Sequence, residues 1–518
     1  MARLAAAAEQ LRIAEAALAA GRFPEAAEAL RKTVRLDRDS PRPQLMLAFA
    51  LWQSGEREQA IGALRRLIQR APGNGDAWFN LGNFYRTERR TGEALAAFKR
   101  AADLQPGNVA PHINAAHALV QAARFEEAED AVRSSLRRFP SEPDLLVNLA
   151  QVQRATHRLS EALATLERCV ELAPGHAGYR VTRALARLEL GEAQAAHADL
   201  DEIVREHPES PEAHLARAQL LLARREYAAG WRDYLWRRER ATWLAAEGRP
   251  FTTPAATLEE LVGRPVVLCG EQGLGDILFF LRFASVVERV AASVHVEVEP
   301  RLRAILPVRW ASPAPANAVR VLVGDLVLIA GGGPVPPLGL SPEGAHLATA
   351  RARLAQCGQP PYLGITWQGG IRWQDMPEPG SKLFKRVPPE VLGSALAASR
   401  ATLVSVQRAA LPPDLAALSR AAGRPVHDFS DVNDSLPDAL AVLSLLDDYV
   451  AVSNTNVHFN DSLGKRTRAL VTQPAEWRWC LEGERSPWFT NAILYRQGKD
   501  GAWDDALARL KADLELES

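Results

Sequence analysis

Through the first 240 residues apolar side chains recur at i, i+3, i+4 and i+7, interrupted by short Gly-, Pro- and Asn-containing breaks. That period predicts amphipathic helices and nothing else. From residue 264 the pattern changes to short β-rich runs alternating with helical stretches, which predicts a parallel α/β sheet. Expected strands in a first unit are Val266–Cys269, Val294–Glu297 and Leu326–Ala330, followed by the hinge-like loop GGGPVPPLGLSPEG at 331–344. A second unit carries strand signals at 362–367, 401–406, 425–429, 449–452, 468–471 and 492–496. It also holds a helix at 435–446 with Ser435 as N-cap, and a closing amphipathic helix at 503–517. The expected domains are a helical array at 1–240, a linker at 241–263, and two Rossmann-like units at 264–345 and 346–518. Two such units joined by a hinge predict a cleft, with ligands beyond the carboxyl ends of the strands.

The helical half repeats. Prolines stand at 72, 106, 140, 174 and 208, each 34 residues after the last. The stretch beginning at Asp76 carries Trp78, Leu81, Gly82, Tyr85, Ala94, Phe98, Ala101 and Pro106, the full tetratricopeptide (TPR) signature. Small residues at the helix crossing recur at Ala60, Ala94, Ala128, Ala162 and Ala196, with Ala26 and Gly230 in the first and last copies. About seven repeats fit between residue 7 and residue 240. Each helix pair has to stack on the next to bury its apolar face, which creates a groove suited to an extended peptide or partner helix. Asn80, Asn114 and Asn148 are also 34 apart. They are candidates for an amide ladder that grips an acceptor peptide's backbone, or else for bonds between neighbouring helices. The last copy, with Tyr227, Trp231, Tyr234, Trp236 and Trp243, reads as an aromatic seam against the next domain.

Composition narrows the function. Lys+Arg and Asp+Glu both number 62, so no nucleic-acid partner and no membrane surface is indicated. The four cysteines are far apart and form neither a metal spacing nor a disulfide framework, which fits a reducing compartment. No apolar run reaches membrane-spanning length, and the N-terminus, interrupted by Glu9 and Glu15, is a poor signal peptide. The expectation is a soluble cytoplasmic protein.

Three loops carry candidate chemistry. GEQGLGD (270–276) opens a helix after the first strand, yet its spacing is neither the dinucleotide fingerprint nor a P-loop. Gly273 and Gly275 let a ligand approach the backbone, and Asp276 is either an N-cap or a general base. SNTNVH (453–458) places Ser453, Asn454, Thr455 and Asn456 at a strand end, where hydroxyls, amides and helix N–H groups suit a diphosphate without any metal. His458 is a further candidate or a buried structural histidine. Gln368 lies in the loop after the strand YLGITW; beyond it SKLFKR brings Lys382 and Lys385, two of only seven lysines, as charges for a leaving pyrophosphate or as a solvated surface loop. No D-x-D motif falls in the α/β half, and no G-x-S-x-G elbow or His/Cys metal cluster occurs.

GEQGLGDILFFLRF, LGITWQGG, SNTNVHFNDSLGK and WRWCLEGERSPWF, in this order, resemble segments of bacterial TPR proteins with a C-terminal GT-B glycosyltransferase-like domain; YAAGWRDYLWRR at the junction is similar to that group too. The C-terminal half resembles the lipopolysaccharide heptosyltransferases, and the whole architecture is similar to O-linked N-acetylglucosamine and flagellin glycosyltransferases. The resemblance implies an all-α TPR superhelix followed by a GT-B-like pair of Rossmann-type domains. It also implies a metal-independent, cofactor-free enzyme that moves a sugar from a nucleotide sugar to an acceptor, such as flagellin, held by the TPR groove. Gly275 and Asp276 match the heptosyltransferase Gly-Asp, which makes Asp276 the proposed base. Gly273, Gln368, Lys382, Lys385 and Ser453 to His458 fall on the donor side, with Ser453 standing where that family has an acidic residue. The rival expectation is a TPR adaptor whose GT-B half no longer catalyses.

Overall fold

The computed structural model describes residues 2–310, 313–369 and 385–517. Its chain forms two compact units, one ending at Ala173 and the other starting at Pro174. The first is built of five helix pairs: α1 (Ala2–Ala19) and α2 (Phe23–Leu36), α3 (Pro41–Gln53) and α4 (Arg57–Arg70), α5 (Gly75–Thr87) and α6 (Thr91–Leu104), α7 (Ala110–Gln121) and α8 (Phe125–Arg138), α9 (Pro143–Ala155) and α10 (Leu159–Leu172). The crossing residues Ala26, Ala60, Ala94, Ala128 and Ala162 are fully buried, which lets each pair approach closely. Gly82 shows how tight this is, since a Cβ there would lie 2.6 Å from the Phe98 ring.

One titratable group inside this array gives a pH prediction. Burial, then the Arg86 charge, pushes His117 down to about 4, and Arg86 bonds its Nδ1 at 3.2 Å. The unfolded chain takes up this proton near pH 6.5 while the folded chain refuses it until about pH 4. Stability is therefore lost as pH falls through that window, at up to about 1.4 kcal/mol per pH unit. His117→Gln is expected to flatten the drop in urea midpoint between pH 7 and pH 5. An unchanged profile would refute the assignment.

The second unit opens with four more helices, α11 (Ala177–Glu189), α12 (Ala193–Glu206), α13 (Pro211–Ala223) and α14 (Tyr227–Tyr234). The span expected as linker instead holds α15 (Arg238–Ala246) and α16 (Leu258–Leu261), the latter with a Thr257/Glu260 capping box. Then come β1 (Pro265–Cys269), α17 (Leu274–Leu281), α18 (Ala284–Glu288), β2 (Ser293–Glu297), α19 (Pro300–Arg303), β3 (Val319–Leu322) and α20 (Leu326–Ile329). The three strands form a parallel sheet in the order β2-β1-β3. Leu326–Ala330, expected as the third strand, is therefore helix α20 plus one residue. A short, wholly apolar run reads alike as a buried strand or a buried helix turn, and Leu326 and Val327 are both buried. The real third strand, VRVL, carries Arg320, which pairs with Glu247 and Glu297.

After α21 (Gly344–Cys357), β4 (Tyr362–Thr366) starts a six-stranded sheet. A two-residue β5 (Gln368–Gly369) pairs antiparallel with β6 (Lys385–Arg386). There follow α22 (Pro389–Leu396), β7 (Thr402–Ser405), α23 (Pro412–Ala422), β8 (Val426–Asp428), α24 (Leu436–Leu445), β9 (Asp448–Val452), α25 (Thr455–Ser462), β10 (Thr467–Val471), β11 (Ala492–Arg496) and α26 (Asp504–Leu516). The strand order is β11-β10-β9-β4-β7-β8, all parallel. Covering both faces with helices explains why these strands read as nearly continuous apolar runs.

Side chains from both sheets pack together where the two sheets meet. Loop 331–344 is fastened near both ends: Trp231 Nε1 donates to Gly332 O at 2.8 Å and Leu340 N to Ser462 O at 2.9 Å. Between α17 and the segment before β11 lies a seam of aromatic rings. Phe279 meets Trp477, Trp488 and Phe489 at centroid distances of 5.2, 5.3 and 6.3 Å. Arg282, buried, stacks 4.4 Å over Phe279 and donates to Trp488 O at 2.7 Å and Asp461 Oδ2 at 3.2 Å. Trp231 joins the seam from α14, edge-on to Phe280, Trp477 and Trp488, as the aromatic ending of the repeats suggests.

Candidate functional site

The loops after β1 and β9 meet. Gly275, in the first turn of α17, packs so closely on α25 that a Cβ would lie 2.9 Å from His458 Cδ2 and 3.6 Å from Thr455 Cα. A glycine is required there by this contact, not by a turn. Gly273 is the N-cap residue of α17. The loop between β1 and α17 is held from below by Tyr234, whose hydroxyl bonds the Gln272 amide at 2.9–3.0 Å. Asp276 projects from the first turn of α17 and receives Arg478 Nη2 at 2.5 Å. The Arg478 guanidinium lies 4.3 Å over Trp477 and 4.7 Å over Phe279, and its Nε is buried without a partner.

Two residues from Arg478, Glu476 collects the other side of the site. Ser453 Oγ donates to Glu476 Oε2 at 2.7 Å, and Lys385 forms an ion pair with Oε1. Burial pushes the Glu476 carboxyl up, but Lys385, Arg478 and Ser453 together outweigh it and hold the group below the usual carboxylate range. Lys385 Nζ also reaches Ser453 O at 3.4 Å. Asn454 caps α25 with its own side chain: Oδ1 accepts from Asn456 N at 2.7 Å and Val457 N at 3.3 Å. The amides expected to face a diphosphate therefore already have a partner. Asn456 turns inward and bonds Val406 O and Asn433 Oδ1. His458 is buried edge-on to Phe279 and Phe489, its Nδ1 unpartnered. Burial, then Arg478, Arg282 and Lys385, hold it neutral, well below its ordinary value. It is a packing and shape residue at this junction, not a surface contact.

Gln368 sits at the rim, where its main-chain N donates to Gln407 Oε1 at 2.9 Å. Lys382 lies outside the described residues. Of the expected site, Asp276, Gly275, Ser453, Asn454, Thr455, Lys385 and His458 are thus brought to one place. Arg478 and Glu476 complete it and were passed over as candidates, although WRW at 477–479 is an unusual run and Glu476 directly precedes it. Of the two readings of the 34-spaced asparagines, bonds between neighbouring helices are seen at two positions. Asn148 is 5% exposed and donates to Ile113 O, and Asn114 donates to Asn83 Oδ1 at 2.7 Å. Both amides tie neighbouring first helices together, and Asn80, half-buried in α5, heads the series. Among the described residues no cluster of three or more His, Cys, Asp or Glu side chains is placed to hold a metal ion, and no helix is long and apolar enough to cross a membrane.

The tetratricopeptide repeat family matches residues 45–109 and 113–177, with overlapping matches at 85–140 and 149–221. The chain is 23% identical over 507 residues to Protein FlbA of Caulobacter vibrioides, across 90% of this chain and 83% of that protein. Among solved structures it is similar to a tetratricopeptide repeat protein from Parabacteroides merdae, with TM-score 0.38 and 16% identity over 44% of this chain and 91% of that one. It is also similar to pilF of Pseudomonas aeruginosa, with TM-score 0.33 and 19% identity over 41% and 97% of the two chains. Residues 45–221 carry tetratricopeptide repeats, which point to protein partners.

Proposed function

We propose that the chain binds a partner protein through its repeats and transfers to it a sugar from a nucleotide-activated donor. The observation that carries this reading is the contact of the first turns of α17 and α25 at Gly275, with Asp276, Arg478 and Lys385 around it. The N-terminus of α17, which no side chain caps, and the two cations favour a diphosphate. In the proposed step the acceptor hydroxyl gives its proton to Asp276 while its oxygen bonds the anomeric carbon. The bond from that carbon to the diphosphate breaks, and the leaving charge falls to Lys385 and Arg478. Glu476 and Asp276 occupy these cations in the free chain, and a donor diphosphate takes them over.

The second reading, a binding scaffold without catalysis, is favoured by the same pairs: Lys385 and Ser453 are engaged by Glu476, and Asn454 fills its own helix cap. Thermal shift with UDP, ADP, GDP, CMP and their sugar conjugates separates the two. A donor site predicts stabilisation by one nucleotide class, a larger shift in Glu476→Gln, and a loss of about tenfold or more in affinity in Lys385→Ala. If neither the natural chain nor Glu476→Gln responds to any nucleotide, the transferase reading is wrong and the scaffold remains.

A further inference from the structure

A second site lies in the repeats. One position of the repeat recurs 34 residues apart as Gln44, Trp78, His112, Leu146, Arg180 and His214. In three copies its polar tip meets the carbonyl six residues upstream: Gln44 to Arg38 O at 2.9 Å, Trp78 to Pro72 O at 3.0 Å, His214 to Pro208 O at 3.0 Å. His112 bonds Ser135 and Arg180 pairs with Glu202. Only Leu146 in this series lacks a polar tip. The carbonyl it leaves unmet, Pro140 O, accepts instead from Arg168 Nη2 of α10 at 2.9 Å.

At this place an open groove of about 550 Å³ lies between α8 and α10. Leu146 and Leu149 form its floor, Leu136 a wall, and Arg133, Arg137 and Arg168 its rim. No carboxylate lines it. The neighbouring Glu129 is taken by Arg158 and Arg133, which hold it down to about 2. Arg168 bonds a neutral carbonyl, and Arg137 is exposed and makes no ion pair among the described residues. An apolar floor beside the Arg137 and Arg168 guanidinium groups, which no carboxylate among the described residues neutralises, selects a ligand that is apolar at its centre and anionic at its edges. Guanidinium forks favour carboxylates, and pockets of this size are filled by aromatic anchors.

We propose that this pocket binds an acidic segment of a partner protein through one aromatic side chain seated on Leu146 and Leu149, with flanking carboxylates on Arg137 and Arg168. The proposal holds whether or not the α/β half transfers a sugar. The test uses the full chain and a fluorescein-labelled peptide with a central Trp flanked by three Asp or Glu on each side, read by anisotropy. Leu146→Trp restores the residue that the third repeat uses and closes the floor. It is expected to weaken the peptide by about thirtyfold with no loss in Tm, and Arg137→Glu by about tenfold. A peptide with Ala in place of Trp should bind as poorly as Leu146→Trp does. No binding of the Trp peptide, equal binding to Leu146→Trp, or equal binding of the Ala peptide or of a single-stranded oligonucleotide would each overturn the proposal, the last two by showing a mere cationic surface.

Discussion

Arg237→Ala is expected to destabilise the second unit by about 3–5 kcal/mol, because it leaves the buried Glu271 carboxylate without a cation and Asp325 with Arg240 alone. Arg237 is 1% exposed and follows α14. Its Nε lies 3.1 Å from both Glu271 oxygens, and its Nη2 reaches Glu271 Oε1 at 2.6 Å and Asp325 Oδ1 at 2.5 Å. Arg240 meets the other Asp325 oxygen at 3.1 Å, and Gly324 N donates to Glu271 at 3.0 Å. Burial already pushes the Glu271 carboxyl above its ordinary value, with Arg237 opposing. Without Arg237 the glutamate has to ionise alone in a dry site, so it holds a proton to higher pH. A folded-state pKa raised in this way favours the folded chain on the acid side, so the deficit should shrink from pH 8 to pH 5. Arg237→Met with Glu271→Gln is expected to recover part of the loss, since the amide oxygen still accepts from Gly324. Urea unfolding followed by tryptophan fluorescence measures all three; a cost below about 1 kcal/mol for Arg237→Ala would show that the charges rearrange toward water.

Asp276→Asn is the decisive change for the proposed chemistry. An asparagine keeps the shape and a hydrogen bond to Arg478 but cannot take the acceptor's proton. Transfer from nucleotide sugar to acceptor protein is expected to fall by about 10²–10⁴, with donor affinity nearly unchanged. Full activity in this variant would remove Asp276 from the mechanism. A parallel loss of donor binding would instead make it a positioning residue that orients Arg478.

The sequence makes the repeats legible because each crossing alanine and loop proline obeys one fixed interval, and local spacing is all that a helix pair needs. β1, β2 and most strands of the larger sheet are legible for a similar reason, being short runs rich in apolar and β-branched residues. The third small strand is not, since Arg320 interrupts it and the better apolar run, at Leu326, is helix α20. The candidate site divides along the same line. Asp276 and Ser453 to His458 announce themselves at strand ends. Glu476 and Arg478 do not, because their roles come from partners some 20 to 200 residues away in sequence. Phe279, Trp488 and Phe489 pack together between α17 and the segment before β11, a meeting that no spacing rule encodes.

Trp231 belongs by sequence to the last repeat and by packing to the interior shared with both sheets. Loss or exchange of repeats by gene recombination is therefore tolerated only upstream of this helix pair. A breakpoint between α14 and β1 would part Trp231 from Trp477 and Trp488 and leave Gly332 O without its donor. Lineages of such chains should vary in repeat number at the front while inheriting the final repeat together with the sheets as a single block.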